Sequence, residues 1–150
     1  MHKLSNQILD LRELEKLATN LCKEISVGDI YLFQGELGAG KTTFVRLLIN
    51  KLYVLNNLPR PISITSPTFP ILITYELNSS QINHYDLYRV KNLKELEELD
   101  FFENLNNNIT FIEWPERLIN LPLNKKYYLI NLDIVSVSKR KIIASEVSFT

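Results

Sequence analysis

Three of the chain's four glycines fall within eight residues, Gly35-Glu36-Leu37-Gly38-Ala39-Gly40-Lys41-Thr42. The order is a glycine, any four residues, then glycine, lysine and threonine. That arrangement suits the binding of phosphate. Glycines let the backbone turn tightly enough for successive N–H groups to converge on one anion. A helix opening directly afterwards adds the positive end of its dipole. The lysine then supplies charge to the β- and γ-phosphates of a nucleotide, and the threonine hydroxyl ligates magnesium. Lys41 and Thr42 take these places, with Lys41 expected on an exposed loop as a source of charge rather than packing. Thr43 either contacts the α-phosphate or simply belongs to the first turn of the helix. At ordinary residue frequencies the pattern arises by chance in about one chain of this length in two hundred, so its context decides. Ile30-Tyr31-Leu32-Phe33 precedes it as a buried strand, and Phe44, Leu47, Leu48 and Leu52 follow at helical spacing.

A phosphate loop of this kind needs a carboxylate at the end of a neighbouring strand to hold the metal, usually through water. Glu113 ends the apolar run that begins at Ile109, in a place where aspartate is commoner, and Asp86 ends the run from Ile82. With Lys41 they are the catalytic candidates, Glu113 joining Thr42 as a metal ligand. The plainer readings are a polar strand terminus for Glu113 and a turn or helix cap for Asp86. Ser66-Pro67-Thr68 is either a turn or a hydroxyl-bearing switch that senses the γ-phosphate. Arg89 faces phosphate or pairs with the acidic helix that follows. Trp114, the only tryptophan, packs over the sheet end or contacts a ligand or partner. His84 is read as structural, because no second histidine or cysteine lies near it in sequence to complete a metal site.

The rest of the chain supplies elements to position these groups. Asp10 and Glu13 form a capping box ahead of Leu14, Leu17, Ala18, Leu21 and Ile25, and Gly28 is placed to end that helix. Cys22 lies beside the stripe as core filler. The helix after the loop fades into the turn-rich stretch 56–61. Residues 71–77 and 81–86 read as strands joined by Asn78-Ser79-Ser80. Asn92 and Glu95 cap another helix, acidic through Asp100 and Glu103, and 104–108 is a loop. Residues 126–135 and 140–148 make a terminal hairpin around Ser136-Val137-Ser138-Lys139. The expected fold is α/β: three layers of the P-loop NTPase kind, its central sheet mostly parallel, with antiparallel edge strands and a C-terminal hairpin.

Composition narrows the class further. At 150 residues the length suits one domain spanning 1–150, enough to bury roughly 70% of its unfolded surface. Lysine plus arginine equals aspartate plus glutamate at 17 each, so no global field grips nucleic acid or an anionic membrane. A single cysteine forms no internal disulfide, which fits a reducing compartment. Met1-His2-Lys3-Leu4-Ser5-Asn6 leads into charged residues rather than an apolar signal core. No run approaches the ~18 apolar residues of a membrane span. A soluble, cytoplasmic protein is expected.

Taken in order, Gly-Glu-Leu-Gly-Ala-Gly-Lys-Thr-Thr at 35–43, Ser-Pro-Thr-Phe at 66–69, His-Tyr-Asp-Leu-Tyr-Arg at 84–89 and Ile-Glu-Trp-Pro-Glu-Arg at 112–117 resemble the TsaE family. That family is the bacterial ATPase component of tRNA threonylcarbamoyladenosine synthesis. The match runs from about the first helix to Pro122, and four ordered motifs are far more specific than the phosphate loop alone. The resemblance implies a cytoplasmic magnesium ATPase, slow or partner-dependent, acting with TsaD and TsaB. Those partners install threonylcarbamoyl on the adenosine beside the anticodon, so tRNA is met only through the complex. It also implies nucleotide and metal roles for Lys41, Thr42 and Thr43. The aspartate of the His-x-Asp motif falls on Asp86, and the glutamate and tryptophan of the strand end fall on Glu113 and Trp114. The chain departs from the family at Pro70, where threonine is commoner.

Two other readings compete: a small P-loop kinase and a non-catalytic, nucleotide-dependent interaction module. Kinases generally bring an arginine-rich lid, and Arg46, Arg60, Arg89, Arg117 and Arg140 are scattered instead. A GTPase is disfavoured because Asn124-Lys125-Lys126-Tyr127 lacks the aspartate that reads guanine.

Overall fold

The computed structural model describes residues 6–118 and 122–148. The run from Met1 to Ser5 considered above lies outside them. In chain order the elements are β1 (Gln7–Leu9), α1 (Leu11–Cys22), β2 (Ile30–Gln34), α2 (Lys41–Leu55), β3 (Leu72–Glu76), β4 (Gln81–Asp86), α3 (Leu93–Glu97), α4 (Phe101–Asn104), β5 (Ile109–Glu113), β6 (Tyr127–Ile134) and β7 (Arg140–Val147).

The apolar runs become the middle of one sheet, ordered β1-β7-β6-β2-β5-β4-β3. β6, β2, β5 and β4 pair in parallel. β7, β1 and β3 are added antiparallel at the edges. A parallel strand covered on both faces needs apolar side chains on both, and β5 is buried along its whole length. Alternate residues serve two cores. Tyr31, Phe33, Phe111 and Ile130 pack beneath α1 and α2. Ile30, Leu32, Tyr85 and Ile112 pack on the other side against Leu96, Phe101 and Leu105. Three layers result, as expected.

The capping boxes form where the sequence placed them. Asp10 accepts from the Glu13 backbone N–H at 2.8 Å and Glu13 accepts from that of Asp10 at 3.2 Å. Asn92 and Glu95 do the same for α3. Three expectations change. α1 stops at Cys22, and Gly28 instead takes φ 95° in the turn before β2. The acidic helix is two helices, because Asp100 turns to φ 55° and re-aims the chain. The break drives Phe101 fully inside, edge-on to Tyr85 at 5.0 Å. β1 was not foreseen, since three residues are too few to show a period of two. Cys22 is core filler: it is buried, donates to the Leu48 carbonyl at 3.4 Å, and burial pushes its thiol up to about 12. Among the described residues no helix is long and apolar enough to cross a membrane.

This topology gathers the chemistry. β2, β4 and β5 run the same way, so the loop after Gln34, Asp86 and Glu113 all emerge at one edge of the sheet. In register, Glu113 sits beside Phe33 on one side and Asp86 on the other.

Candidate functional site

The loop between β2 and α2 is shaped by its glycines. A Cβ on Gly35 would lie 2.6 Å from the Leu132 carbonyl oxygen of β6, so no side chain fits there. Gly38 and Gly40 take φ 83° and 103°, left-handed values that strain any other residue. α2 begins immediately after Gly40 with no acidic residue in its first turn, which leaves its positive dipole end unopposed.

Lys41 is not the exposed charge that its sequence position suggests. It is 5% exposed. Its ammonium donates to the Gly35 carbonyl and, at 3.1 Å, to that of Glu36. It also lies 3.8 Å from the centroid of the Trp114 ring. Trp114 reaches back because it adopts φ 56°, turning the chain sharply after β5. Burial pulls the Lys41 ammonium below the ordinary lysine range, opposed by the carboxylates of Glu113, Glu116, Asp86 and Glu36.

Thr42 and Glu113, 71 residues apart, meet: the Thr42 hydroxyl donates to Glu113 Oε1 at 2.7 Å. Oε2 of the same carboxylate lies 2.5 Å from Nε2 of His84. Asp86 has different partners. Its Oδ2 accepts from Thr68 at 2.9 Å and from Ser66 at 3.5 Å, and its Oδ1 accepts from the Tyr88 backbone N–H at 2.8 Å. The Ser66 and Thr68 hydroxyls are 2.7 Å apart.

A cleft of about 270 Å³ is lined by Leu37, Gly38, Gly40, Lys41, Thr42, Thr43, Ser66, Thr68, Asp86, Glu113 and Trp114. All three catalytic candidates, the hydroxyl pair and Trp114 therefore share one space. Arg89 does not join them: it donates to the Phe69 carbonyl at 3.1 Å and lies over the Phe69 ring. On the far side of the loop a largely apolar space of about 660 Å³ lies between Leu9, Leu11 and Leu14 and the hairpin turn at Val137. Thr43 faces both spaces.

Three contacts escaped the sequence. His84 touches Glu113 rather than merely filling the core. Arg117 lies over the Tyr88 ring at 4.3 Å and the Trp114 ring at 5.6 Å. Arg140, from β7, donates to the carbonyls of Ala39 at 2.9 Å and Gly38 at 3.2 Å, and to those of Ser136 and Lys139 in its own turn. The contacts of His84 with Glu113, of Arg117 with Tyr88 and of Arg140 with the loop join segments far apart in sequence, so nothing local marks them.

Among the described residues no cluster of three or more His, Cys, Asp or Glu could hold a metal by itself. Thr42 and Glu113 offer two hard oxygen donors side by side at the mouth of the phosphate loop. That set suits magnesium, which takes one or two protein oxygens and completes its shell with phosphates and water.

The family model described as "Threonylcarbamoyl adenosine biosynthesis protein TsaE" matches residues 8–142, a span that contains every group above. The tRNA threonylcarbamoyladenosine biosynthesis protein TsaE of Rickettsia conorii is 41% identical over 140 residues, covering 93% of this chain and 74% of that relative. The protein of the same description from Aquifex aeolicus is 33% identical over 143 residues, covering 95% and 96%. In fold the chain resembles the crystal structure of Bacillus subtilus YdiB, with a TM-score of 0.63 and 21% identity over 96% of this chain and 88% of that one.

Proposed function

The chain belongs to the TsaE family of tRNA threonylcarbamoyladenosine biosynthesis proteins, and on that premise we propose that its cleft binds ATP with magnesium and hydrolyses it. The hydrolysis serves threonylcarbamoylation of the tRNA adenosine next to the anticodon, in the cytoplasm and with TsaD and TsaB as partners. One observation carries this reading: the phosphate loop and two strand-end carboxylates in adjacent register line a single cleft.

The loop amides and the α2 dipole end receive the phosphates. Lys41 exchanges the carbonyls of Gly35 and Glu36 for β- and γ-phosphate oxygens, a shift within the same loop. The apolar space beyond Thr43 has the character needed for a nucleoside, with Leu9, Leu11 and Val137 offering surface to a base. Thr42 and Glu113 would hold magnesium, whose charge would offset that of the phosphates. Asp86, whose oxygens are already aligned by Thr68 and the Tyr88 amide, orients the attacking water.

Arg89, Arg117 and Arg140 are engaged on Phe69, on aromatic rings and on loop carbonyls. These three are held away from the phosphates, which supports slow turnover by the isolated protein. Zero net charge leaves tRNA to be met through the partners. The test is magnesium-dependent ATP turnover with and without the TsaD–TsaB pair, with Trp114 fluorescence followed during ATP addition. Slow turnover that changes when the pair is added is expected. Vigorous hydrolysis indifferent to the pair moves the reading to an independent enzyme.

A further inference from the structure

Glu113 is gripped from behind by a residue that no substrate can reach. His84 is 0% exposed on β4, and its Nε2 lies 2.5 Å from Glu113 Oε2. Its other ring nitrogen, Nδ1, has no hydrogen-bond partner among the described residues. In register His84 pairs with Phe111, and Glu113 stands two places further along β5 on the same face. The imidazole therefore reaches diagonally across the strand pair beneath the cleft. Thr42 occupies the opposite carboxylate oxygen at 2.7 Å.

We propose that His84 is a positioning residue for magnesium binding: its Nε2–H fixes the Glu113 carboxylate so that Oε1 is presented to Thr42 and the cation. The proposal rests on the magnesium reading above. A glutamate has three rotatable side-chain bonds, and one that must present a single oxygen to an ion needs an outer partner that removes the alternatives. His84 supplies that partner and takes Oε2 out of use. Packing alone would not select histidine here. An apolar side chain would fill the space without an unpartnered buried Nδ1, which is unfavourable. The group that the position cannot give up is the N–H at Nε2.

Geometry chooses the variants. In His84→Gln the amide nitrogen can stand where Nε2 stands, whereas in His84→Asn it reaches only the place of Nδ1. His84→Leu fills the volume without a donor. On the full chain, ADP binding is followed by calorimetry and Trp114 fluorescence as magnesium is titrated, beside thermal melting and the kcat and KM of ATP turnover. Leu and Asn at position 84 should raise the half-saturating magnesium about tenfold or more and lower kcat by a similar factor. Metal-free nucleotide affinity should stay within about twofold, because the loop is untouched. Gln should restore the magnesium dependence to within about threefold.

A merely structural histidine gives a different pattern: melting temperatures fall while every folded variant keeps the parent's magnesium dependence, which overturns the proposal. If the Leu variant fails to fold, Gln and Asn decide it, and equal magnesium dependence in those two overturns it as well. Glu113→Gln and the parent separate the two levels of the argument. Magnesium without effect on the parent's nucleotide binding defeats the metal reading itself. A response lost in Glu113→Gln but kept in His84→Leu and His84→Asn defeats only the role of His84.

Discussion

Asp86 and Glu113 are neighbours in register at the same sheet edge, and both are almost fully buried at 2% and 1% exposed. Their surroundings differ in kind. Glu113 is held by the sheet and the phosphate loop, through His84 on β4 and Thr42 on α2. Asp86 is held by the long connection 56–71, through Ser66 and Thr68. That connection has no helix or strand and is tied down at few points, among them the Ile64 carbonyl on Arg46 at 2.9 Å and the Ile71 carbonyl on the Asp86 amide at 2.9 Å. Ile71 itself sits at φ 70°, a conformation that β-branched residues avoid. One carboxylate is thus part of the sheet and loop frame, and the other is wired to an irregular segment outside it. A metal ligand is best served by the first arrangement, and a group that must respond to the γ-phosphate by the second.

The largest expected effect comes from removing the ammonium that shares the cleft with the two carboxylates. Lys41→Ala should weaken ATP binding by about a hundredfold or more, read by calorimetry, while circular dichroism shows the fold retained. Parent-like affinity in a folded variant would leave Lys41 with no phosphate to hold.

The next two variants test the comparison itself. Glu113→Gln should lower kcat about 10²–10³-fold and abolish most of the magnesium dependence. Asp86→Asn should lower kcat by about 10²-fold with ADP affinity nearly unchanged. Hydrogen exchange separates them further. The amides of Ser66, Thr68, Phe69 and Ile71 should exchange faster in the Asp86 variant only. Equal acceleration in both variants would mean that the two carboxylates share one support.

Thr68→Val keeps the shape of the side chain and removes its donor to Asp86. A drop in kcat of about tenfold is expected, with KM for ATP held within about twofold. An unchanged kcat would reduce the hydroxyl cluster to a turn.

The smallest effect is expected at the strained end of the connection. Ile71 is partly buried against the second core, so its replacement by glycine loses packing but relieves the left-handed backbone. The two should nearly offset, leaving stability within about 1 kcal/mol of the parent in urea denaturation. A loss above about 3 kcal/mol would mean that the conformation carries little strain.

Much of this is legible in the sequence. The glycine spacing named the loop, the two capping boxes named the starts of α1 and α3, and the run from Ile109 to Ile112 pointed to Glu113 as a strand end. These are local signals, in which each residue's type is explained by neighbours a few places away. What was not legible depends on packing between distant segments. Nothing near Lys41 announces that Trp114, 73 positions later, will fold over its ammonium. Nothing near His84 announces Glu113, since the contact arises only once β4 and β5 align. The break at Asp100 was hidden because residues 93–99 are good helix formers that run directly into it, and the burial of Phe101 overrides their propensity to continue.

Arg140 has a consequence for how the protein is made. The glycine-rich loop is synthesised as residues 35–42, yet its outer carbonyls at Gly38 and Ala39 are clasped only by a guanidinium about a hundred residues later. β2, which leads into the loop, is flanked by β5 and β6, both still unmade when the loop leaves the ribosome. At elongation rates of about 5–20 residues per second, the motif waits about 5–20 s for its clasp. A nascent chain in that interval carries the whole signature of a nucleotide site before the frame that holds it is complete. On the proposed function, ATP would then stabilise the protein only after translation has passed β7, a ligand for the finished molecule rather than a guide to its folding.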